Sequence, residues 1–255
     1  MRSLGRQGIT LVNAFGGMAI LLAQFVYSLR KIHRSLPLII EQFYQLGVRS
    51  LPLILVISIF VGAVSAWQAA YQFKFIGAPL RFLGQAVGKA TVIELAPVLS
   101  ALVYAGRVGA GITAELGTMK VTEQIDALES LGISPVRYLV MPRIVACLIM
   151  VPLLVTFANF VAIMGGLVVS VMGVNVSSET FLFGFRDSFK LTDFLAGLTK
   201  AGVFGLLIGL VGCYEGFRTT GGAEGVGMST TTSVVTSSVL ILVFNFVFAM
   251  ILFRL

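Results

Sequence analysis

The sequence predicts an all-α integral membrane protein with five transmembrane helices, an N-terminal interfacial helix and a short cytoplasmic helix between two spans. Of its 255 residues, 57% are hydrophobic and only 11% are charged, whereas a soluble domain contains about 25% charged residues. Its apolar runs are long enough for membrane-spanning helices, which need about 20 residues. The distribution of lysine and arginine along the chain then decides which of these runs cross the membrane.

Six apolar stretches follow one another, at residues 9–29, 51–71, 83–108, 144–174, 191–214 and 234–253. Their length excludes a β-barrel, whose strands would appear as alternating segments of about 10 residues. The first stretch differs from the others because it contains Asn13 and Gln24 and is followed by a basic, amphipathic segment beginning at Arg30.

The positive-inside rule resolves the status of this first stretch. If residues 9–29 lie in the membrane interface, most lysine and arginine residues fall on the cytoplasmic side and Lys200 lies within a span. If they cross the membrane, this bias disappears. We therefore predict an N-terminal interfacial region at residues 1–49 and a five-span domain at residues 50–255, with a loop helix at 120–131.

Several other classes of function are excluded by the sequence. The net charge of +7 is explained by the positive-inside rule and anionic headgroups, so no nucleic-acid partner is predicted. Residues 84–91 and 109–114 each approach a nucleotide-binding motif but fail its spacing or context. The chain has one histidine and two cysteines far apart in the sequence, which predicts no metal site. Cys147 and Cys213 lie in apolar segments and are predicted to be buried thiols. No nucleophile–base pair is evident, so we predict no catalytic residues and no enzyme.

Glu94 is an ionisable residue within an apolar stretch, and such residues mark functional sites by default. Pro97 lacks an N–H group, so the carbonyl of Ile93 loses its helical partner and a polar notch forms. Two interpretations remain open. Glu94 and Pro97 form a cavity wall or gate that meets a headgroup or water, or Glu94 is a structural carboxylate paired with Lys89 or bonded to a hydroxyl of the last span.

Small residues recur every four positions further along the same stretch, at Ala105, Gly109, Thr113 and Gly117. Such a ridge allows the backbone of a second helix to approach closely. We predict helix packing here rather than contact with a substrate.

Residues 120–131 predict a short amphipathic helix, with Thr122 as its N-cap and with Gly132 and Pro135 ending it. Its apolar face is made by Val121, Ile125 and Leu128. Its acidic face is made by Glu123, Asp126 and Glu129. Anionic lipid would repel the acidic face. The helix is therefore predicted to dock on a cytoplasmic partner through Glu123, Gln124, Asp126, Leu128 and Glu129.

The middle of the chain resembles the MlaE/YrbE permease family, the membrane subunits of MCE-type ABC systems that move lipids. The similarity is carried by ELAP at 94–97, AGRVGAGITAELG at 105–117 and TEQIDAL at 122–128. The turn at 132–135 with Arg143, and the stretch 221–232, also match. The resemblance extends from about Pro37 to the C terminus and is most specific in the middle third.

This resemblance implies a phospholipid-transporting permease in the bacterial inner membrane, working as a homodimer with a separate cytoplasmic ATPase that holds ATP and Mg. It also implies an MCE-domain partner and often a STAS-domain subunit. The helix at 120–131 would be the coupling helix that engages the ATPase. The lipid cavity would lie at the dimer centre, built from the first, second and last spans. We assign Glu94, Pro97, Trp67 and Tyr71 to this cavity.

Two rival functions remain open from the residues alone. The first is a proton-coupled secondary transporter with Glu94 as its proton site, although the chain shows no inverted repeat of the kind common in such transporters. The second is a membrane scaffold that transports nothing.

Overall fold

The structure, a computed structural model, describes the backbone of residues 2–252 and the side chains of residues 13, 15–30, 32 and 35–251. This part of the chain is almost entirely helical and contains no β-strand. Its helical stretches, some interrupted by short π- or 3₁₀-helical turns, are α1 Arg2–Ser28, α2 Leu36–Ile76, α3 Leu80–Val121, α4 Gln124–Ser130, α5 Val136–Val174, α6 Ser178–Ser188, α7 Leu191–Phe217 and α8 Gly222–Leu252.

Five of these stretches, namely α2, α3, α5, α7 and α8, are long and apolar enough to cross a membrane. The predicted all-α membrane fold with five spans is therefore confirmed. Among the described residues of α1, Phe15–Ser28 form an apolar helix shorter than the five candidate spans, and the interfacial position of this region stays a prediction. Because α2 begins at Leu36, one continuous helical stretch runs across the predicted boundary at residue 49.

The predicted end of the last span at Phe253, and the side chains of Lys31, His33 and Arg34 in the basic segment, lie outside the described residues.

Two glycines end helices in the left-handed conformation that a residue with a Cβ atom adopts only at a cost. Gly77, with φ of 70°, follows α2, and Pro79 comes two residues later. Gly132, with φ of 73°, lies just beyond α4, and Pro135 precedes the next helix. The sequence-based prediction that α4 stops at Gly132 and Pro135 is thereby confirmed.

The chain divides into two compact units. The first unit comprises the residues up to Leu46, Ala105–Leu148 and Leu206–Leu240. Its core contains fully buried side chains from α3, α5 and α7, including Ile112, Leu116, Ile144, Cys147 and Ile208. Cys147 and Cys213 are both buried thiols, as the sequence predicts.

The second unit comprises Gly47–Tyr104, Ile149–Gly205 and the residues from Ile241 onward. One apolar cluster within it joins residues of α2, α3, α5, α6 and the connection between α5 and α6. Its members are Ala66, Ala70, Leu83, Val87, Val92, Ile163, Val174, Val176 and Phe181. Close backbone contacts make this packing possible, because Gly84 leaves space for the carbonyl of Phe181. Helix α6 is thereby seated on the first turns of α3.

Gly62 is a position where the packing of the second unit predicts a measurable effect. A Cβ atom there would overlap the backbone carbonyl of Ala162 on α5. We expect Gly62→Ala to lower the free energy of unfolding by about 1–3 kcal/mol, the usual cost of overpacking.

Thermal unfolding in detergent would measure this loss, with Gly111→Ala as the matched control. Gly111 also lies within a helix, but a Cβ atom at Gly111 would meet nothing within 4 Å. The gain in helix propensity is therefore shared by both variants. Equal unfolding midpoints for the two variants would show that the contact at Gly62 is not tight.

Candidate functional site

A buried polar cluster lies in the second unit, around Lys200 of α7. Its Nζ atom donates hydrogen bonds to the Glu94 Oε1 atom at 2.5 Å, the Asn245 Oδ1 atom at 3.2 Å and the carbonyl of Ile93 at 3.3 Å. The Lys200 side chain is completely buried, whereas a third of the Glu94 side chain is exposed. An ammonium group has three N–H donors, so these three acceptors satisfy Lys200 fully.

The backbone around Glu94 explains why such a cluster forms at this point. Residues Thr91–Leu95 form a π-helical turn, and Pro97 follows it without an N–H group. The carbonyl of Ile93 is therefore available, and Lys200 supplies the missing donor. A Cβ atom at Gly197, one turn before Lys200, would collide with the carbonyl of Val92. The glycine thus lets α7 approach α3 closely enough for Lys200 to reach its acceptors.

The predicted local pairing of Glu94 with Lys89 is wrong, because the carboxylate forms its ion pair with Lys200. Residues five positions apart do not face each other on a helix, which explains why Lys89 is not the partner. The last span does contribute to the cluster, although through the amide of Asn245 rather than through a hydroxyl group. In the sequence, the feature that indicates this ion pair is Lys200 itself, because a lysine in the middle of an apolar span needs a polar partner.

Trp67 and Tyr71 of α2 line a recess of their own. Both side chains are exposed, by 57% and 66%, respectively. With Lys74 and Gly173, among others, they line a recess of about 100 Å³ that includes no member of the cluster. Pro97 is buried. The described lining of this recess thus includes Trp67 and Tyr71 but neither Glu94 nor Pro97, and the assignment of all four residues to one cavity stays a prediction.

The small-residue ridge of α3 faces α7 within the first unit. Ala105 and Thr113 are completely buried, and the Thr113 hydroxyl lies 3.1 Å from the carbonyl of Gly212 and 2.9 Å from that of Gly109. A Cβ atom at Gly109 would contact Ile208, and one at Gly117 would contact Thr219 just after α7. The ridge thus occupies a helix-to-helix contact.

Helix α4 and the turn before it carry exposed acidic residues. Ile125 is buried and Leu128 is half-buried, whereas Glu123, Gln124, Asp126 and Glu129 are exposed. Asp126 forms an ion pair with Lys120 at 2.7 Å. Among the described residues, Glu123 and Glu129 take part in no ion pair.

The structure begins this helix later than the sequence suggests. Helix α3 continues to Val121, and α4 starts at Gln124. Thr122 does not cap α4, because its hydroxyl donates back to the carbonyl of Thr118 at 2.7 Å, as threonines within helices often do. Glu123, with φ of 60°, lies between the helices in the left-handed conformation. The chain therefore turns sharply before α4.

The hydroxyl groups at the start of α8 divide into two sets. Thr230, Thr231 and Thr232 donate to carbonyls of their own helix four residues earlier. Ser233 and Ser237 are completely buried, and their hydroxyl oxygens have no hydrogen-bond partner among the described residues. Hydrogen bonds within the helix thus satisfy the hydroxyl groups of the threonines but not those of these two serines.

Residues 39–251, most of the chain, match the model of the family described as Permease MlaE. The match covers all five spans except the first three residues of α2 and the last residue of α8. The chain belongs to the MlaE permease family. The resemblance seen in the sequence is thereby confirmed.

Individual members of known sequence agree with this assignment. The MlaE-family permease is 39% identical to a probable ABC transporter permease protein of Rickettsia typhi, over 98% of this chain and 96% of that protein. It is 43% identical to one of Synechocystis sp., over 84% and 81% of the two chains. It is 36% identical to one of Pyropia yezoensis, over 85% and 82%.

The MlaE-family permease is accordingly the permease component of an ABC transporter and a multi-pass membrane protein. Permeases of this class are transport components that work with an ATPase.

Proposed function

We propose that this permease is the membrane-spanning subunit of an ATP-driven phospholipid transport system in the bacterial inner membrane. Two copies form a homodimer with a lipid cavity at its centre. A separate cytoplasmic ATPase binds and hydrolyses ATP with Mg, and acts on α4 as the coupling helix. An MCE-domain protein, and in many systems a STAS-domain subunit, completes the assembly.

The observation that carries this proposal is the arrangement of α4. The helix is held to the chain by Ile125, which is buried, whereas Glu123, just before it, and Glu129 are exposed and form no ion pair with any described residue. The fold of the chain itself does not require these carboxylates. A basic groove on an ATPase offers them complementary charge, and such complementarity fixes the orientation of docking.

The lipid cavity is supported by the surface of α2 and α8. In their most apolar windows, 28% of α2 and 11% of α8 are buried, against 50% in each of the other three spans. Exposed Trp67 and Tyr71 lie on α2, and their amphipathic rings suit a site that holds both acyl chains and headgroups. The exposed third of Glu94 adds a polar group to the same unit.

Reconstitution into vesicles tests the proposed function. The purified native complex is first examined by mass spectrometry for the ATPase and for bound lipid. The permease and the ATPase are then placed in vesicles with fluorescent phospholipid, and we expect lipid movement that requires hydrolysable ATP.

Two outcomes would contradict the proposal. Lipid movement driven by a proton gradient without any ATPase, and lost in Glu94→Gln, would favour the secondary transporter. No lipid movement under either condition, from a complex that contains the ATPase, would favour the scaffold.

A further inference from the structure

A third ion pair, outside the Lys200 cluster, joins two spans next to α4. The Arg143 Nη2 atom of α5 lies 2.7 Å from the Glu115 Oε1 atom of α3, within the first unit. The Arg143 side chain is 5% exposed, whereas that of Glu115 is 54% exposed. A buried guanidinium is thus neutralised by a carboxylate that reaches it from the surface.

The position of Arg143 is also fixed by its own helix. Its Nη1 atom donates a hydrogen bond to the carbonyl of Leu139, one turn earlier, at 2.8 Å. With one hydrogen bond to α5 and an ion pair to α3, the planar guanidinium has a defined orientation. Removing the carboxylate would leave a buried charge without its counter-ion, which is far costlier than the loss of an exposed pair.

The residues between this pair, 116–142, include α4 and the two turns that flank it. At the first turn, the ion pair between Lys120 and Asp126 connects the end of α3 to α4. At the second turn, Gly132 and Ile133 donate backbone hydrogen bonds to the carbonyls of Glu129 and Leu128. Both turns are otherwise exposed, so they are the places where this segment bends most easily.

We propose that Glu115 and Arg143 are positioning residues that hold the ends of α3 and α5 together as a rigid base for α4. A push on α4 then moves the ends of both spans together, because the pair prevents the spans from separating. This inference rests on the proposed function for the source of the push, an ATPase acting on α4. The rigidity itself is a property of this chain alone.

Hydrogen exchange of the purified chain, without ATPase or transport assay, tests the rigidity. Glu115→Gln keeps the shape of an exposed side chain and removes only its charge. We expect backbone amides of α4 and its flanking turns to exchange about tenfold to a hundredfold faster, the range for losing a hydrogen bond to a charged group. The matched control is Glu224→Gln, which removes an exposed carboxylate of the same unit.

The transport readout uses the same variants in the reconstituted complex. We expect Glu115→Gln to lower the amount of lipid moved per ATP hydrolysed while ATPase binding is retained. Arg143→Gln should lower this lipid-to-ATP ratio as well, and Arg143→Lys, which keeps the charge, should retain part of what Arg143→Gln loses. Unchanged exchange in Glu115→Gln would overturn the rigid base, and faster exchange with an unchanged ratio would overturn the positioning role. If the unaltered complex moved no lipid with ATP, the proposed function would fail while the exchange result still decided the rigidity.

Discussion

Replacing Glu94 by alanine is expected to destabilise the protein more than any other single change considered for this chain. Lys200 would remain completely buried without its carboxylate, held only by the Asn245 amide and the Ile93 carbonyl. Breaking a buried ion pair by removing one partner costs about 3–5 kcal/mol. We expect the lower end of this range, because a third of the Glu94 side chain is exposed and water screens it.

Companion variants separate the charge effect from packing. Glu94→Gln retains an oxygen acceptor for Lys200 and should lose less stability than Glu94→Ala. The double variant Glu94→Ala with Lys200→Met removes the stranded charge, so it should recover part of the stability lost in Glu94→Ala.

Thermal unfolding in detergent measures these differences, with Glu224→Ala as an exposed control. If Glu94→Ala unfolded at the same temperature as the control, the ion pair would not stabilise the fold. In vesicles, the recovered double variant also tests the proposed cavity. If the double variant is stable but no longer moves lipid, Glu94 or Lys200 takes part in transport. If it moves lipid fully, the cluster has only a structural role.

Reversing the charge of the outward carboxylates of α4 is the second change with a large expected effect. Glu123→Lys with Glu129→Lys should abolish ATPase stimulation by the permease, because like charges would then face the proposed basic groove. We expect ATPase binding to weaken at least about tenfold, since charges at an interface govern association and specificity. The permease itself should fold normally, because these two residues take part in no ion pair among those described.

Asp126 provides an internal comparison for this experiment. Its carboxylate is engaged by Lys120, so Asp126→Asn would disturb the attachment of α4 rather than only its outer surface. The control for surface charge is Glu224→Lys. ATP hydrolysis in the assembled complex and the proportion of dimers are measured together. Unaltered hydrolysis in the Glu123 and Glu129 double variant would refute the assignment of α4 as the coupling helix.

Much of the fold follows from local features of the sequence. The spans α2, α3, α5, α7 and α8 follow from the length and composition of single apolar stretches, and the distribution of lysine and arginine gave their number in advance. The freed carbonyl of Ile93 follows from the covalent structure of Pro97. The buried face of α4 at Ile125 follows from helical periodicity.

The start of α4 was less predictable, because it depends on a competition between neighbouring backbone groups. Thr122 is a residue that can cap a following helix or bond back to a preceding one. The hydroxyl bonds to the carbonyl of Thr118, and α3 extends to Val121. No periodic pattern distinguishes these two outcomes.

The sequence by itself thus determined the membrane-spanning helical class, the polar notch at Glu94 and the acidic helix, since each depends on residues close together in the chain. Only the tertiary structure decided the partners of the charged groups. Lys200 is 106 residues from Glu94 and 45 from Asn245, and Arg143 meets Glu115 across two different spans. Periodicity indicates which face of a helix is polar, but the packing of one helix against another decides which group that face meets.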